Sequence, residues 1–286
     1  MNLEHLEDTR AAAVEAGKCF SKGRLRDEFR MKPKPGANPV AFYRSGFGGK
    51  FGVYRMADCI PLRQRPQDAQ PSAKQQLARK IMSVKARMRS KQAQVSAVAL
   101  GWLNEDGLVL DTETTGLGDE AQIIEIAIGD VHGNILFSSR VSPTVPIEPR
   151  AAEIHGIQHE HLVGAPSWPE IQAQVIALLS GRSVVIFNAD YDKRLIRQTA
   201  AAFGLPDPWP ETCVSRCAMY LSADAFGPTN KYGTISLANA ALAAGVEWKG
   251  VAHSAAADVL ATVDVVQSIA RLRRSLDSEL AALQLG

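Results

Sequence analysis

The feature that most constrains the fold is a run of alternating strand and helix signals that begins at Gly107. Apolar strand patterns come first, at Leu108–Thr112, Ile123–Asp130 and Ile135–Val141, with short turns between them. Consecutive strands joined by short turns pair antiparallel. Next come a short buried strand at Ser183–Asn188 and helical patterns at Trp168–Leu179, Tyr191–Phe203, Ser215–Leu221, Ile235–Ala244 and His253–Leu272. The sequence therefore predicts an α/β fold, a mixed sheet flanked by helices.

Charge divides the chain into two regions of opposite sign. Residues 1–100 hold 20 Lys+Arg and 8 Asp+Glu, a net charge of +12, whereas residues 101–286 hold 12 and 22, a net charge of −10. The basic region suits a polyanion and the acidic region suits cations. No apolar run approaches the ~20 residues of a membrane span, and the N-terminus carries acidic residues instead of the basic start of a signal peptide. We therefore expect a cytoplasmic protein without membrane contact.

The basic region offers three local patterns. An amphipathic helix is predicted over Leu6–Phe29, a hairpin or flexible glycine-rich loop over Val40–Tyr54, and a basic helix from Ala73 to about Val95. Aromatic and basic residues alternate in the second pattern, an arrangement that suits stacking on single-stranded nucleic acid. The alternative is a solvated basic helix with a small structural module that binds a partner protein.

Two carboxylates, Asp111 and Glu113, end the first strand of the sheet. Side chains alternate along a strand, so these two point to the same face. Adjacent carboxylates repel each other unless a cation lies between them, and oxygen ligands favour Mg²⁺ or Mn²⁺ over Zn²⁺. Taken alone, the pair is more typical of a solvated strand end before a turn.

Further acids follow at two other places in the chain. Asp190 and Asp192 come directly after the buried strand Ser183–Asn188, where α/β sheets place their sites, although either acid would also cap the next helix. His253 and Asp258 begin the last helical pattern. Each pattern by itself is weak.

In this order and spacing, the motifs resemble those of the DEDD (DnaQ-like) 3′–5′ exonucleases, in the histidine-containing (DEDDh) subgroup that includes the proofreading epsilon subunit of bacterial DNA polymerase III. The matching segments are LVLDTETTGL (108–117), NADYD (188–192) and HSAAAD (253–258), with an HGI…L segment over 155–162. The resemblance implies an RNase H-like fold and hydrolysis of phosphodiester bonds with two Mg²⁺ or Mn²⁺ ions.

The resemblance also assigns roles to individual residues. It makes His253 the general base and gives the metal ions four acidic ligands: Asp111, Glu113, Asp192 and Asp258. Asp192 is preferred to Asp190 because the family's acid follows an aromatic residue, here Tyr191. Residues implied to bind substrate are Thr114, Thr115, Gly116, Leu117, His155 and Asn188. The chain departs from the family at Phe187, where many members have histidine; this leaves the metal ligands intact but removes a polar contact.

The predicted function is a 3′–5′ exonuclease that acts on single-stranded 3′ ends, DNA in preference to RNA, and releases nucleoside 5′-monophosphates. Alternatives are an RNA exonuclease similar to ribonuclease T or oligoribonuclease, and a non-catalytic nucleic-acid-binding module. A polymerase or another replication protein is a candidate partner. We expect the exonuclease domain over residues 105–280, and over residues 1–100 a basic region that combines a nucleic-acid-binding module with a helical linker.

Overall fold

The computed structural model describes residues 3–44, 49–63, 71–105, 107–248 and 253–285. Contacts divide the chain into two compact units, Met1–Ser72 and Ala73–Gly286. Each unit has a hydrophobic core of its own. Among the helices within the described ranges, none combines the length and the apolar composition that crossing a membrane requires.

The first unit is a small α/β module. Its elements are α1 (Leu3–Glu15), β1 (Cys19–Ser21), α2 (Lys22–Asp27), β2 (Met31–Pro33), β3 (Ala41–Arg44), β4 (Lys50–Arg55) and β5 (Cys59–Pro61). The strands form a three-stranded sheet in the order β1-β4-β3 and a separate β2-β5 ribbon. Phe20, Leu25 and Met56 are buried in its core.

Two predictions for this unit have different outcomes. The single helix predicted over Leu6–Phe29 is wrong, because α1 ends at Glu15. Gly17 follows with a φ of 59°, a left-handed conformation that glycine adopts at low cost and that ends helices. The hairpin predicted over Val40–Tyr54 is confirmed, since β3 pairs antiparallel with β4; the part of this prediction that falls on residues 45–48 lies outside the described residues.

The second unit begins with two helices where the sequence predicted one. These are α3 (Ala73–Arg87) and α4 (Lys91–Asn104), so the prediction of one helix from Ala73 to about Val95 is wrong. Ser90 lies between them in extended conformation, and its side chain accepts a hydrogen bond from the N–H of Ala93 at 3.2 Å. A serine in this position satisfies a free N–H at a helix start, so a new helix begins here.

A five-stranded mixed sheet lies at the centre of the second unit. Its strands are β6 (Leu108–Thr114), β7 (Ile123–Asp130), β8 (Ile135–Arg140), β9 (Ser183–Ile186) and β10 (Val214–Cys217). The order is β10-β9-β6-β7-β8. The strands β6, β7 and β8 pair antiparallel, whereas β9 is parallel to both β6 and β10. The mixed sheet predicted from the sequence is confirmed.

Helices cover both faces of this sheet. They are α5 (Pro149–His155), α6 (Trp168–Leu179), α7 (Ala189–Ala202), α8 (Ala218–Phe226), α9 (Leu237–Ala244) and α10 (Ala255–Leu285). On β6, Val109 packs with residues of α10, while Leu108 and Leu110 pack with residues of α6 and α7. The helix predicted over Ser215–Leu221 is wrong at its start, because residues up to Cys217 pair with β9; pairing with a distant strand overrides a local helical pattern.

The last helix approaches the sheet closely at Gly129 of β7. A Cβ atom at this position would lie 2.9 Å from Cγ1 of Val259 on α10 and 3.1 Å from the carbonyl oxygen of Asn134. A larger residue would push the helix away from the strand. The glycine therefore lets the first turns of α10 lie against β6 and β7, which decides where the acidic residues of the helix are placed.

Candidate active site

Three carboxylates meet where β6 lies against the start of α10. Asp111 and Glu113 share a strand face with Val109, the face that packs against α10. Asp258 lies in the first turn of α10. One carboxylate oxygen from each of these three side chains lies within 4.8 Å of the other two. Two acidic motifs from distant parts of the sequence thus form one group.

Asp192 lies beside this group but is not a member of it. It belongs to the first turn of α7 and is only 3% exposed. Its Oδ1 accepts a hydrogen bond from Oγ1 of Thr112 at 2.7 Å. After burial, the charge of Asp192 is the largest cause of the raised pKa of Asp111. Asp190, the competing acid, is exposed.

Burial and mutual repulsion hold the pKa values of these acids above their usual range. Burial, assisted by the charges of Asp258 and Glu125, raises the pKa of Glu113 to about 8. Burial also raises the pKa of Asp192 to about 7 and that of Asp258 to about 6. The pKa of Asp111 is raised well above its usual value by burial and by its acidic neighbours. The carboxylates repel one another when all of them are ionised. A cation that binds between them stabilises the ionised forms.

Asp258 also has an oxygen atom without a partner. Its Oδ1 is buried and makes no hydrogen bond within the described part of the chain. A buried carboxylate oxygen without a hydrogen-bond partner destabilises the folded protein unless a cation or a hydrogen-bond donor binds it. Oxygen donors from clustered carboxylates are the ligands of Mg²⁺ and Mn²⁺. The residues present therefore fit a divalent cation.

His253 is exposed and precedes α10 by two residues. Its φ of 62° is left-handed, a conformation that is uncommon outside glycine and that often occurs at functional positions. Burial dominates the pKa of Asp258, but the charge and the backbone N–H of His253 lower that pKa. The imidazole is therefore close enough to the acids to act on them electrostatically.

A cavity of about 240 Å³ lies next to the acids. Its walls include four of the predicted substrate-binding residues, Thr114, Gly116, Leu117 and His155, and the predicted metal ligand Glu113. The other wall residues, which the sequence did not assign to substrate or metal, are Glu148, Arg150, Ala151, Ile154 and Tyr191. The hydroxyl of Tyr191 lies 2.9 Å from Oγ1 of Thr114 and donates to the carbonyl of Gly116 at 3.2 Å. Tyr191 was used only to choose between two acids, although an aromatic residue beside a motif is itself a signal for a cavity wall.

The other two predicted substrate-binding residues do not line this cavity. Thr115 is 2% exposed, and its Oγ1 accepts a hydrogen bond from the N–H of Gln122 at 3.0 Å. Asn188 has a left-handed φ of 73° at the turn between β9 and α7. Thr115 and Asn188 therefore lie in turns next to the site and not in the cavity wall.

His155 contacts the backbone through both ring nitrogens. Nδ1 accepts a hydrogen bond from the N–H of Ile157 at 3.0 Å, and Nε2 lies 3.2 Å from the carbonyl oxygen of Thr114. Because Nδ1 is an acceptor, the proton belongs on Nε2, which donates to that carbonyl. Burial lowers the pKa of His155, which favours this neutral form. The ring thus joins the loop after α5 to the end of β6 while it also lines the cavity.

Gly116 is needed here because another side chain lies against it. A Cβ atom at this position would lie 2.1 Å from Oε1 of Glu148. The backbone of Glu148 is also tied to this turn, since its N–H donates to the carbonyl of Thr115 at 2.8 Å. In the structure, the absence of a side chain at Gly116 thus lets the carboxylate of Glu148 approach the turn.

Glu125 is an acid of the site that the sequence reasoning missed. It lies opposite Glu113 on the neighbouring strand and is 8% exposed. Its Oε2 accepts a hydrogen bond from the N–H of Ala255, the first residue of α10, at 3.0 Å, and its Oε1 pairs with Nε of Arg140 at 3.1 Å. The sequence contains a signal for this role, because a charged residue between Ile124 and Ile126, in the apolar and buried part of β7, requires partners.

Comparisons with known proteins show which family this chain resembles. The exonuclease family model RNase_T matches residues 108–266. Uncharacterized exonuclease CP81 of Escherichia phage 186 is 40% identical over 192 residues, which are 64% of this chain and 98% of the phage protein. DNA polymerase III subunit epsilon of Pasteurella multocida is 34% identical over 95 residues, 30% of this chain and 38% of that protein. The solved structure of exonuclease X in complex with 5′ overhanging duplex DNA is 27% identical, with a TM-score of 0.44, and the match covers 62% of this chain and 98% of that chain.

The family model spans more than half of the chain, and the phage relative is matched over almost its whole length. The matched segment contains the whole acidic group and the cavity beside it. This chain therefore belongs to the RNase_T family of exonucleases, which are DEDD-type (DnaQ-like) nucleases that depend on divalent metal ions.

Proposed function

We propose that this exonuclease removes nucleotides one at a time from the 3′ end of nucleic acid, with DNA as the preferred substrate, and releases nucleoside 5′-monophosphates. The observation that carries the proposal is the group formed by Asp111, Glu113 and Asp258 beside a cavity. Glu113 belongs to both, so a nucleotide in the cavity has its phosphate next to the acids. The 3′–5′ direction and the preference for DNA rest on the resemblance of the motifs to those of DnaQ-like exonucleases.

Two Mg²⁺ or Mn²⁺ ions would be held by Asp111, Glu113, Asp192 and Asp258. Bound there, divalent ions would activate water and would neutralise the charge of the phosphate and of the leaving oxygen. The hydrogen bond from Thr112 fixes the orientation of the Asp192 carboxylate. All four acids have raised pKa values in the protein, so they release protons when cations bind.

Glu125 acts in this proposal as a positioning residue, because it holds the start of α10 and thereby Asp258. The variant Glu125→Gln is expected to weaken Mn²⁺ binding and to lower kcat, each by about 10- to 100-fold, as loss of an outer contact to a metal site does. Calorimetric titration with Mn²⁺ and steady-state kinetics measure the two effects. Unchanged Mn²⁺ affinity would contradict this role, and a change in Tm alone would show that the residue serves only stability.

His253 is the proposed general base, which accepts the proton of the attacking water. The variant His253→Ala is expected to lower kcat by about a hundredfold while the affinity for Mn²⁺ changes by less than about twofold, because no ligand is lost. His132 is the matched control: it is an exposed histidine in the turn between β7 and β8, and His132→Ala should keep full activity. If His253→Ala retained the wild-type kcat, another group would have to accept the proton.

The terminal nucleotide is proposed to occupy the cavity beside the acids. Leu117 is 70% exposed at its edge, so most of its side chain is accessible to a base. Tyr191 and Thr114 hold the Gly116 peptide in place, which gives the cavity a rigid wall. Apolar and backbone contacts of this kind do not read the identity of a base.

The alternative substrate is RNA, because the acidic group contacts phosphate and does not distinguish the two sugars. A contact to the 2′-hydroxyl separates RNA from DNA, and Glu148 and Arg150 are the charged cavity residues, apart from Glu113, that are available for it. A polymerase or another replication protein remains the proposed partner.

The deciding experiment compares DNA and RNA oligonucleotides of one sequence, single-stranded and duplex, each labelled at its 5′ end. With Mg²⁺ or Mn²⁺ we expect a ladder of shortened labelled products and free mononucleotides. Asp192→Asn should abolish the ladder, while Asp190→Asn, the same change at the exposed acid two residues earlier, should preserve it. Release of the 5′ label as the first product would contradict the proposed direction.

A further inference from the structure

The first unit carries two exposed aromatic rings side by side. Tyr43 on β3 and Phe51 on β4 are opposite each other in the antiparallel register, so they lie on the same face of the sheet. Their ring centroids are 5.5 Å apart in a stacked arrangement. Each residue is 46% exposed. They do not belong to the core of this unit, whereas Tyr54, which the sequence grouped with them, is buried in it.

A cavity of about 320 Å³ lies beside these rings. Its walls include both rings together with Ser21, Lys22 and Lys50. The two lysines lie over other aromatic rings, with Lys22 Nζ 5.4 Å from the ring centroid of Tyr54 and Lys50 Nζ 4.5 Å from that of Phe42. Tyr54 is itself part of the cavity wall, whereas Phe42 is not.

The charge around the cavity has one sign. The strands β1, β3 and β4 contain Arg44, Lys50 and Arg55 and no acidic residue. The acidic residues of the neighbouring helix α2 and its C-terminal end are already paired, since Arg24 binds Glu28 and Arg26 binds Asp27, both at 2.7 Å. Among the described residues, the cavity lining therefore combines two lysines with the exposed rings and contains no acidic side chain.

We propose that the sheet face around Tyr43 and Phe51 binds single-stranded nucleic acid, separately from the exonuclease site. Stacking of bases on exposed aromatic side chains, with lysines on the phosphates, is the general chemistry of single-strand binding. A duplex keeps its bases stacked on each other and cannot use the rings. The cavity beside the rings is lined by Lys22 and Lys50 and by no acidic residue, which favours a polyanion over a cationic partner.

The test uses a probe without a 3′ end, so that the outcome does not depend on the exonuclease site. Fluorescent circular oligothymidylate and circular oligouridylate are titrated with the full-length protein in chelator, alongside a DNA duplex closed at both ends by loops. We expect the wild type to bind at least one of the single-stranded circles more tightly than the closed duplex. The two circles distinguish DNA from RNA as the source of the ligand.

Variants locate the binding face. Tyr43→Ala and Phe51→Ala should each weaken binding of the circle by about fivefold or more, as loss of a stacking ring does. Tyr43→Phe retains the ring and should bind as the wild type does. Tyr220→Ala removes an exposed aromatic residue from α8 of the second unit and should also leave binding unchanged.

A charge variant keeps the proposal testable if removal of a ring disturbs folding. Lys22→Gln combined with Lys50→Gln retains all rings and should reduce the slope of log affinity against log salt by about 1.4, at about 0.7 for each phosphate contact. The proposal is overturned if the wild type does not bind either circle, or if the ring variants bind as tightly as the wild type while their circular dichroism is unchanged.

Discussion

Replacing Asp111 with Asn is expected to lower kcat by at least about 10⁴-fold, since a neutral amide oxygen binds divalent ions much more weakly than a carboxylate does and does not offset their charge. The same change should raise the Tm of the protein in chelator. Burial and the charges of Asp192, Asp258 and Glu113 raise the pKa of Asp111, which means that its carboxylate destabilises the folded state at neutral pH. The neutral amide removes this repulsion. Loss of activity with a gain in stability is the signature of a residue kept for function.

Asp130→Asn is the matched control for this variant. Asp130 lies at the opposite end of β7 from Glu125. Although burial acts to raise its pKa, hydrogen bonds from Asn134 and His132 lower it, so this carboxylate stabilises the fold. Asp130→Asn should therefore lower the Tm and leave kcat unchanged. Activity assays and thermal unfolding in chelator measure both variants; a lower Tm for Asp111→Asn would show that the acids do not repel one another.

The affinity for Mg²⁺ is expected to fall by about 10²- to 10³-fold between pH about 8 and pH about 6. Burial raises the pKa of Glu113 to about 8 and that of Asp192 to about 7. At the lower pH these groups hold protons that an incoming cation must displace. Calorimetric titrations in buffers with different ionisation enthalpies measure both the affinity and the number of protons released. An affinity independent of pH would contradict the raised pKa values.

The same groups predict how stability in chelator depends on pH. A carboxylate whose pKa is higher in the folded than in the unfolded state makes the folded state bind more protons. Its contribution to stability is complete below the unfolded pKa, near the usual value of 4.5 for Glu113, and is lost as the pH rises through about 8. The Tm in chelator should therefore fall by about 5 °C or more across this window. With saturating Mg²⁺ the trend should reverse, because cation binding stabilises the folded state more as the acids ionise.

Local patterns in the sequence were sufficient for much of the second unit. The bounds predicted for β7, Ile123–Asp130, and for α6, Trp168–Leu179, agree with the structure, because apolar periodicity and turn residues act over a few positions. The hairpin formed by β3 and β4 was predictable for the same reason. By contrast, β10 forms because it pairs with β9. No pattern within the residues of β10 predicts this pairing.

The sequence by itself determined that Asp111 and Glu113 share a face, since side-chain alternation on a strand is a local property. It also determined that Asp192 begins a helix after a buried strand. Only the tertiary structure decided that Asp258 joins the first two acids, because this depends on the close approach of α10 to β7 at Gly129.

The role of Glu125 was decided in the same way. Its partners, the first N–H of α10 and Arg140 on β8, come from elements far from it in sequence. A carboxylate acquires such partners only when packing brings the elements together. The sequence pattern of one strand does not predict which residues of other elements will contact it.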